Sequence, residues 1–192
     1  MNKLLGIGVA TGVASASGAG FIYFKPRNKG ITIKQALEKL DKSILTSKSD
    51  SRWDIKAHIY NSIASAKPDL KINNKNTITR EELYSWCSST LKQTNSESLY
   101  NQAKEWCLSP SIKDKLSKAG KTISDSLKTK LDEYKKHKTD DDKKIPLDQM
   151  ENKAQDNLQE EDFKKWCNIY AQKELQEGED KNYDRIANWC TT

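Results

Sequence analysis

The chain has 192 residues, with 33 Lys and Arg against 27 Asp and Glu and a net charge of +6. Acids and bases mix along its whole length, and the absence of a basic stripe with interleaved aromatics argues against a nucleic-acid binder. Lys, Glu, Asp, Ser and Asn dominate and large aliphatic residues are scarce, which limits the body to thin cores.

Leu4 to Phe24 carries no charge and is flanked by Lys3 and by Lys25, Arg27 and Lys29. A run of about 20 apolar residues is long enough to cross a bilayer core as a helix. Phe21, Tyr23 and Phe24 would lie in the aromatic belt at one interface. We expect a signal-anchor over residues 1–24 and a basic linker over 25–30. Two other readings compete: a cleavable signal peptide with Ala14-Ser15-Ala16 as its cleavage site, and a glycine-rich tail. The apolar run continues past Ala16, which favours the anchor. A lipoprotein is excluded, because the first cysteine is Cys87. The basic cluster after Phe24 outweighs Lys3 and would hold the body in the cytoplasm by the positive-inside rule. A short N-terminus favours the opposite orientation, with the body outside, and the cysteines favour it too.

Residues 31–109 begin with Ile33, Leu37, Leu40 and Ile44, spaced to share one helix face. Trp53, Ala57 and Tyr60 follow. Leu83, Trp86, Cys87 and Leu91 then form a core-facing helical stripe. Thr32 with Gln35, and Thr79 with Glu82, have the spacing of capping boxes. Pro68 falls between the periodic blocks, as do Pro110 and Pro146.

Residues 110–192 repeat this order. Ile112, Leu116, Ala119 and Ile123 match the first block, and Leu127, Leu131 and Tyr134 match the second. Glu161 to Cys167 matches Glu81 to Cys87, and Tyr183 to Cys190 matches Tyr100 to Cys107. Phe163, Trp166, Cys167, Tyr170 and Ala171 form one core-facing stripe, and Tyr183, Ile186, Ala187 and Cys190 another. No stretch alternates long enough for a strand. The fold expected is all-α: an N-terminal anchor helix, then two tandem units of about four short helices each.

Each of the four cysteines follows a tryptophan: Trp86-Cys87, Trp106-Cys107, Trp166-Cys167 and Trp189-Cys190. With Trp53, these tryptophans are expected in the cores of the two units. In an exported protein the even count reads as one disulfide per unit, Cys87 with Cys107 and Cys167 with Cys190. Each would stabilise its unit by about 3 kcal/mol in the chain-entropy model. Two other pairings satisfy the same count, and a reduced cysteine packed as a small hydrophobe also satisfies the stripe.

Other chemistry finds little support. Zinc is disfavoured: there is no C-x-x-C, and His58 and His137 do not occupy matching positions. Four equivalent cysteines without an accompanying histidine argue against a nucleophile. Asp140 to Lys144 lacks the glycine and terminal Glu of a calcium loop. The soluble part has no glycine-rich phosphate loop, and neither H-E-x-x-H nor G-x-S-x-G occurs. We therefore expect no enzyme, no cofactor, no metal, no nucleic-acid partner and no small-molecule substrate.

Two patterns, Leu83-x-x-Trp86-Cys87 and Tyr100-x-x-Ala103-x-x-Trp106-Cys107, follow a glycine- and alanine-rich apolar segment and sit in a Lys/Glu/Ser/Asn-rich body. In this layout the chain resembles the large paralogous families of uncharacterised, N-terminally anchored proteins of haemotrophic mollicutes, wall-less blood-parasitic bacteria. The second copy departs from the pattern, with Phe163 in place of the leucine and Ile186 in place of the alanine. The resemblance implies attachment to the cell membrane through residues 4–24, a single pass, and display of the body outside the cell. It also implies a role in host-cell contact or antigenic variation, with a host surface molecule or another protein as partner. The alternative is a cytoplasm-facing, membrane-tethered helical scaffold with reduced cysteines.

Overall fold

The computed structural model describes residues 30–191. The expected anchor over 1–24 and all but the last residue of the basic linker lie outside the described residues. Among the described residues no helix is long and apolar enough to cross a membrane.

The described chain is all-α. The first unit contains α1 (Ile33–Leu37), α2 (Arg52–Ile63), a 3-10 turn (Pro68–Leu70), α3 (Arg80–Thr90) and α4 (Glu97–Trp106). The second contains α5 (Ile112–Lys118), α6 (Lys128–Lys136), 3-10 turns at Leu147–Met150 and Gln155–Asn157, α7 (Glu160–Ala171) and α8 (Lys181–Trp189).

The start signals act as their spacing suggests. Thr32 and Gln35 close a capping box on α1, and Thr79 and Glu82 close one on α3. Each box gives two backbone N–H groups an acceptor that the helix itself cannot supply. The equivalent helices are capped by Ser111 with Asp114 and by Gln159 with Asp162.

In place of strands, the described residues contain isolated antiparallel bridges that repeat between the units. Thr32 bridges Thr94 as Ser111 bridges Glu174, and Ile44 bridges Leu108 as Ile123 bridges Thr191. They fasten the two ends of each short first helix to the segments on either side of each last helix. A five- or seven-residue helix has little stability of its own and depends on such fastening.

Each unit has its own core. Ile33, Leu37, Trp53, Tyr60, Leu83 and Trp106 lie in the first. Ile112, Leu116, Leu127, Tyr134, Phe163 and Ile186 lie in the second. Matched residues do matched work. The Tyr60 ring lies 4.8 Å from Trp106, and the Tyr134 ring 5.2 Å from Trp189. The Trp106 indole N–H donates to the Leu70 carbonyl and that of Trp189 to the Lys143 carbonyl, each at 2.7 Å.

The two units pack against each other, with α2 lying on α5. Ile55 of α2 is buried in the second unit's core, and Ile59 packs against both cores. A helix with apolar residues around its whole circumference needs cover on more than one side. In α2 one side faces Tyr60's core and the other faces the neighbouring unit.

Candidate functional site

The Trp-Cys pairs build the frame on which any contact surface must rest. The stripe on α3 brings Cys87 beside α4, where Cys107 caps the last turn. The two sulfurs are 2.06 Å apart, with Cα atoms 5.6 Å apart. Cys167 and Cys190 are joined in the same way, at 2.06 Å and 5.8 Å. All four are buried, and no cysteine among the described residues is free. Buried disulfides on matching positions serve as cross-links between helices and present no thiolate for chemistry.

Trp53, Trp106, Trp166 and Trp189 are buried. Each places its indole N–H on an acceptor: Trp53 on the Ser47 carbonyl at 2.8 Å and Trp166 on Gln149 Oε1 at 3.2 Å, besides the two already named. A buried indole usually finds such a partner. Trp86 departs from the expectation of five core tryptophans. It is only half-buried, at the edge of the first core, and no acceptor for its N–H is found among the described residues.

The reason is a difference in loop length. Ile72 donates its N–H to the Tyr60 hydroxyl, as Ile145 donates to Tyr134. The Ile72 carbonyl accepts from the Lys75 N–H, as the Met150 carbonyl accepts from Lys153. One residue of the first unit thus takes the place of two in the second, and Pro146 to Gln149 form an extra turn. That turn packs on α7 and covers Trp166. Among the described residues α3 has no counterpart to cover Trp86.

A shallow hollow therefore lies on the same outer face of each unit. In the first it has a volume of about 340 Å³. In the second it shrinks to about 40 Å³. Ile72, Asn73, Glu82, Trp86 and Ser89 line the first, and Met150, Glu151, Asp162, Trp166 and Ile169 take their places in the second. Asn73 and Glu151 both have positive φ, at 50° and 53°, and each is followed by an Asn in the same conformation. These left-handed pairs turn the chain over the rim of each hollow. Lys75 pairs with Glu82 at 2.7 Å, and Lys153 pairs with Asp162, so both rims carry balanced charge.

Lys56 and Arg52 bring positive charge into the seam between the units. Lys56 is buried there, and burial pushes its amine below the ordinary lysine value, partly opposed by Asp114 and Glu105. Its Nζ lies 5.9 Å from the centre of the Trp106 ring. Arg52 grips Asp50 through Nε and Nη2, at 3.0 Å and 2.7 Å. Its Nη1 faces Glu174 of the second unit at 3.9 Å. No group of three or more His, Cys, Asp or Glu suited to holding a metal is present among the described residues.

Sequence reading did not reach the seam or the uncovered hollow. The apolar residues of α2 that lie off its Trp53-Ala57-Tyr60 stripe, Ile55 and Ile59, were the available signal for the first. The unequal loops before α3 and α7 were the signal for the second. Comparison of the chain with family models, with curated proteins and with solved structures finds no match.

Proposed function

We propose that this is a membrane-anchored contact protein, held by residues 4–24 and carrying its two helical units outside the cell. The observation that carries this reading is the pair of matched disulfides, one in each unit. Structural disulfides form and persist in oxidising compartments and are rare where the cell keeps thiols reduced. The apolar run before the body supplies the anchor. The partner proposed is a host surface molecule or another protein. Membership of the paralogous haemotrophic-mollicute families, with a part in host-cell contact or antigenic variation, accords with this layout and is proposed with it.

One observation favours a second reading. Lys25, Arg27 and Lys29 directly follow the apolar run, which by the positive-inside rule would keep the body in the cytoplasm as a tethered scaffold. Labelling of intact cells with a membrane-impermeant amine reagent separates the two. Exposed lysines of the body, such as Lys138 and Lys165, should be modified before lysis if the body is outside. Modification only after lysis would establish the cytoplasmic scaffold instead.

A further inference from the structure

We propose that the hollow at Trp86 is a docking groove for a segment of a partner protein. That segment presents an aliphatic side chain and, next to it, an amide carbonyl that accepts from the Trp86 indole N–H.

The duplication supplies a second version of the same groove. In the second unit the chain itself fills it. The extra turn lies on α7, Gln149 Oε1 accepts from Trp166, and Met150 is buried beneath. This internal occupant states the chemistry that the groove accepts. The first unit keeps the tryptophan and the acid at Glu82, but Ile72 stands alone where the second unit has both Ile145 and Met150, so it lacks the turn and the buried methionine that follows it. It also has small polar Ser89 where the second unit has Ile169, which leaves the groove more open. Four indoles have acceptors and Trp86, among the described residues, has none. Tryptophan is enriched at protein interfaces because its ring is apolar and its N–H takes an acceptor from the partner.

A second copy of this chain is a poorer occupant than a foreign one. Its own turn is already committed to Trp166, and Met150 would have to leave the core. The paired charges of Lys75 and Glu82 at the rim favour a neutral segment over a strongly acidic or basic one.

The proposal takes its biological sense from the contact-protein reading. Its test uses purified protein, so a failure of membrane orientation and a failure of the groove are seen separately. The full chain in detergent, 15N-labelled at tryptophan, would be titrated to millimolar levels with a synthetic peptide of the sequence 145–152. One indole signal, identified by its loss in Trp86→Phe, is expected to shift and saturate while the other indoles stay in place. Replacing the peptide's glutamine with leucine should weaken binding about fivefold, the net worth of one hydrogen bond. Ser89→Ile, which copies the second unit at an exposed site, should block binding without harming the fold. Inserting Pro-Leu-Asp-Gln-Met between Ile72 and Asn73, which copies residues 146–150, should protect the Trp86 N–H from solvent exchange. A stationary Trp86 signal together with an unprotected N–H in the insertion variant would overturn the proposal. So would Trp86-dependent dimerisation of the chain alone, which would make the occupant a second copy.

Discussion

Arg52, the first residue of α2, donates from Nη1 to the backbone carbonyl of Leu175 in the other unit at 3.1 Å. The same guanidinium holds Asp50 with two further nitrogens, so one side chain ties the start of α2 to the second unit. Arg52 is 13% exposed and Asp50 4%. Removing one partner of such a pair leaves the other charge buried without compensation. Arg52→Ala is expected to cost roughly 2–4 kcal/mol in urea unfolding. Arg52→Lys should recover less than half, because an ammonium cannot reproduce the planar fork.

Acid should weaken this seam. Burial alone would raise the Glu174 carboxyl, but the Ser43 N–H, the Ser43 hydroxyl and Arg52 outweigh it and hold the group below its ordinary 4.5. The Ser43 N–H reaches Glu174 Oε2 at 2.9 Å from the other unit. Asp50 is likewise held below 3.8, its burial outweighed by hydrogen bonds from Arg52. The unfolded chain therefore takes up these protons at higher pH than the folded one. Their stabilisation is complete above about pH 4.5 and is lost as pH falls through the depressed folded values. Thermal melts in steps from pH 6 to 3 should show the loss, and Glu174→Gln should flatten it.

Lys56 gives the same direction of pH dependence in the alkaline range, but through a charge that destabilises the fold. Its folded amine titrates below the ordinary 10.5 because burial disfavours the charge. The unfolded chain binds the proton more tightly, so stability is lowest below the folded value and rises as pH climbs from there towards 10.5. Lys56→Met keeps the apolar stem and drops the charge. It is expected to stabilise the protein at pH 7 by an amount of the order of 1 kcal/mol and to abolish the alkaline gain. Melts at pH 7 and pH 10 provide the measurement.

The disulfides should behave as couples. Cys87→Ala and Cys107→Ala should each cost about 3 kcal/mol, and the double substitution should cost little more than either alone. The same holds for Cys167 and Cys190. Summed losses in either double variant would mean that the sulfurs act separately.

The repeating parts of the fold were legible because each has a short-range signature. Helical stripes, the Thr79–Glu82 spacing and the doubled Trp-Cys pairs all lie within a few residues of one another. Gln159 escaped notice as a cap because glutamine seldom serves there, its side chain being long and costly to order. Arg52 and Glu174 meet across the seam from opposite ends of the chain, and no local pattern links them. Trp86 and Trp166 look alike in their motifs, and their different burial depends on a turn inserted well before α7. The anchor proposed over residues 4–24 was read from composition alone and lies outside the described residues.

The most direct test of the account is disulfide mapping of the protein in its own cells. Free thiols would be blocked on intact cells with an impermeant alkylating reagent, and the protein digested without reduction and analysed by mass. Peptides linking Cys87 to Cys107 and Cys167 to Cys190, with no alkylated cysteine, are the predicted result. Four free thiols that react only after lysis would contradict it, as would linkages between the two units.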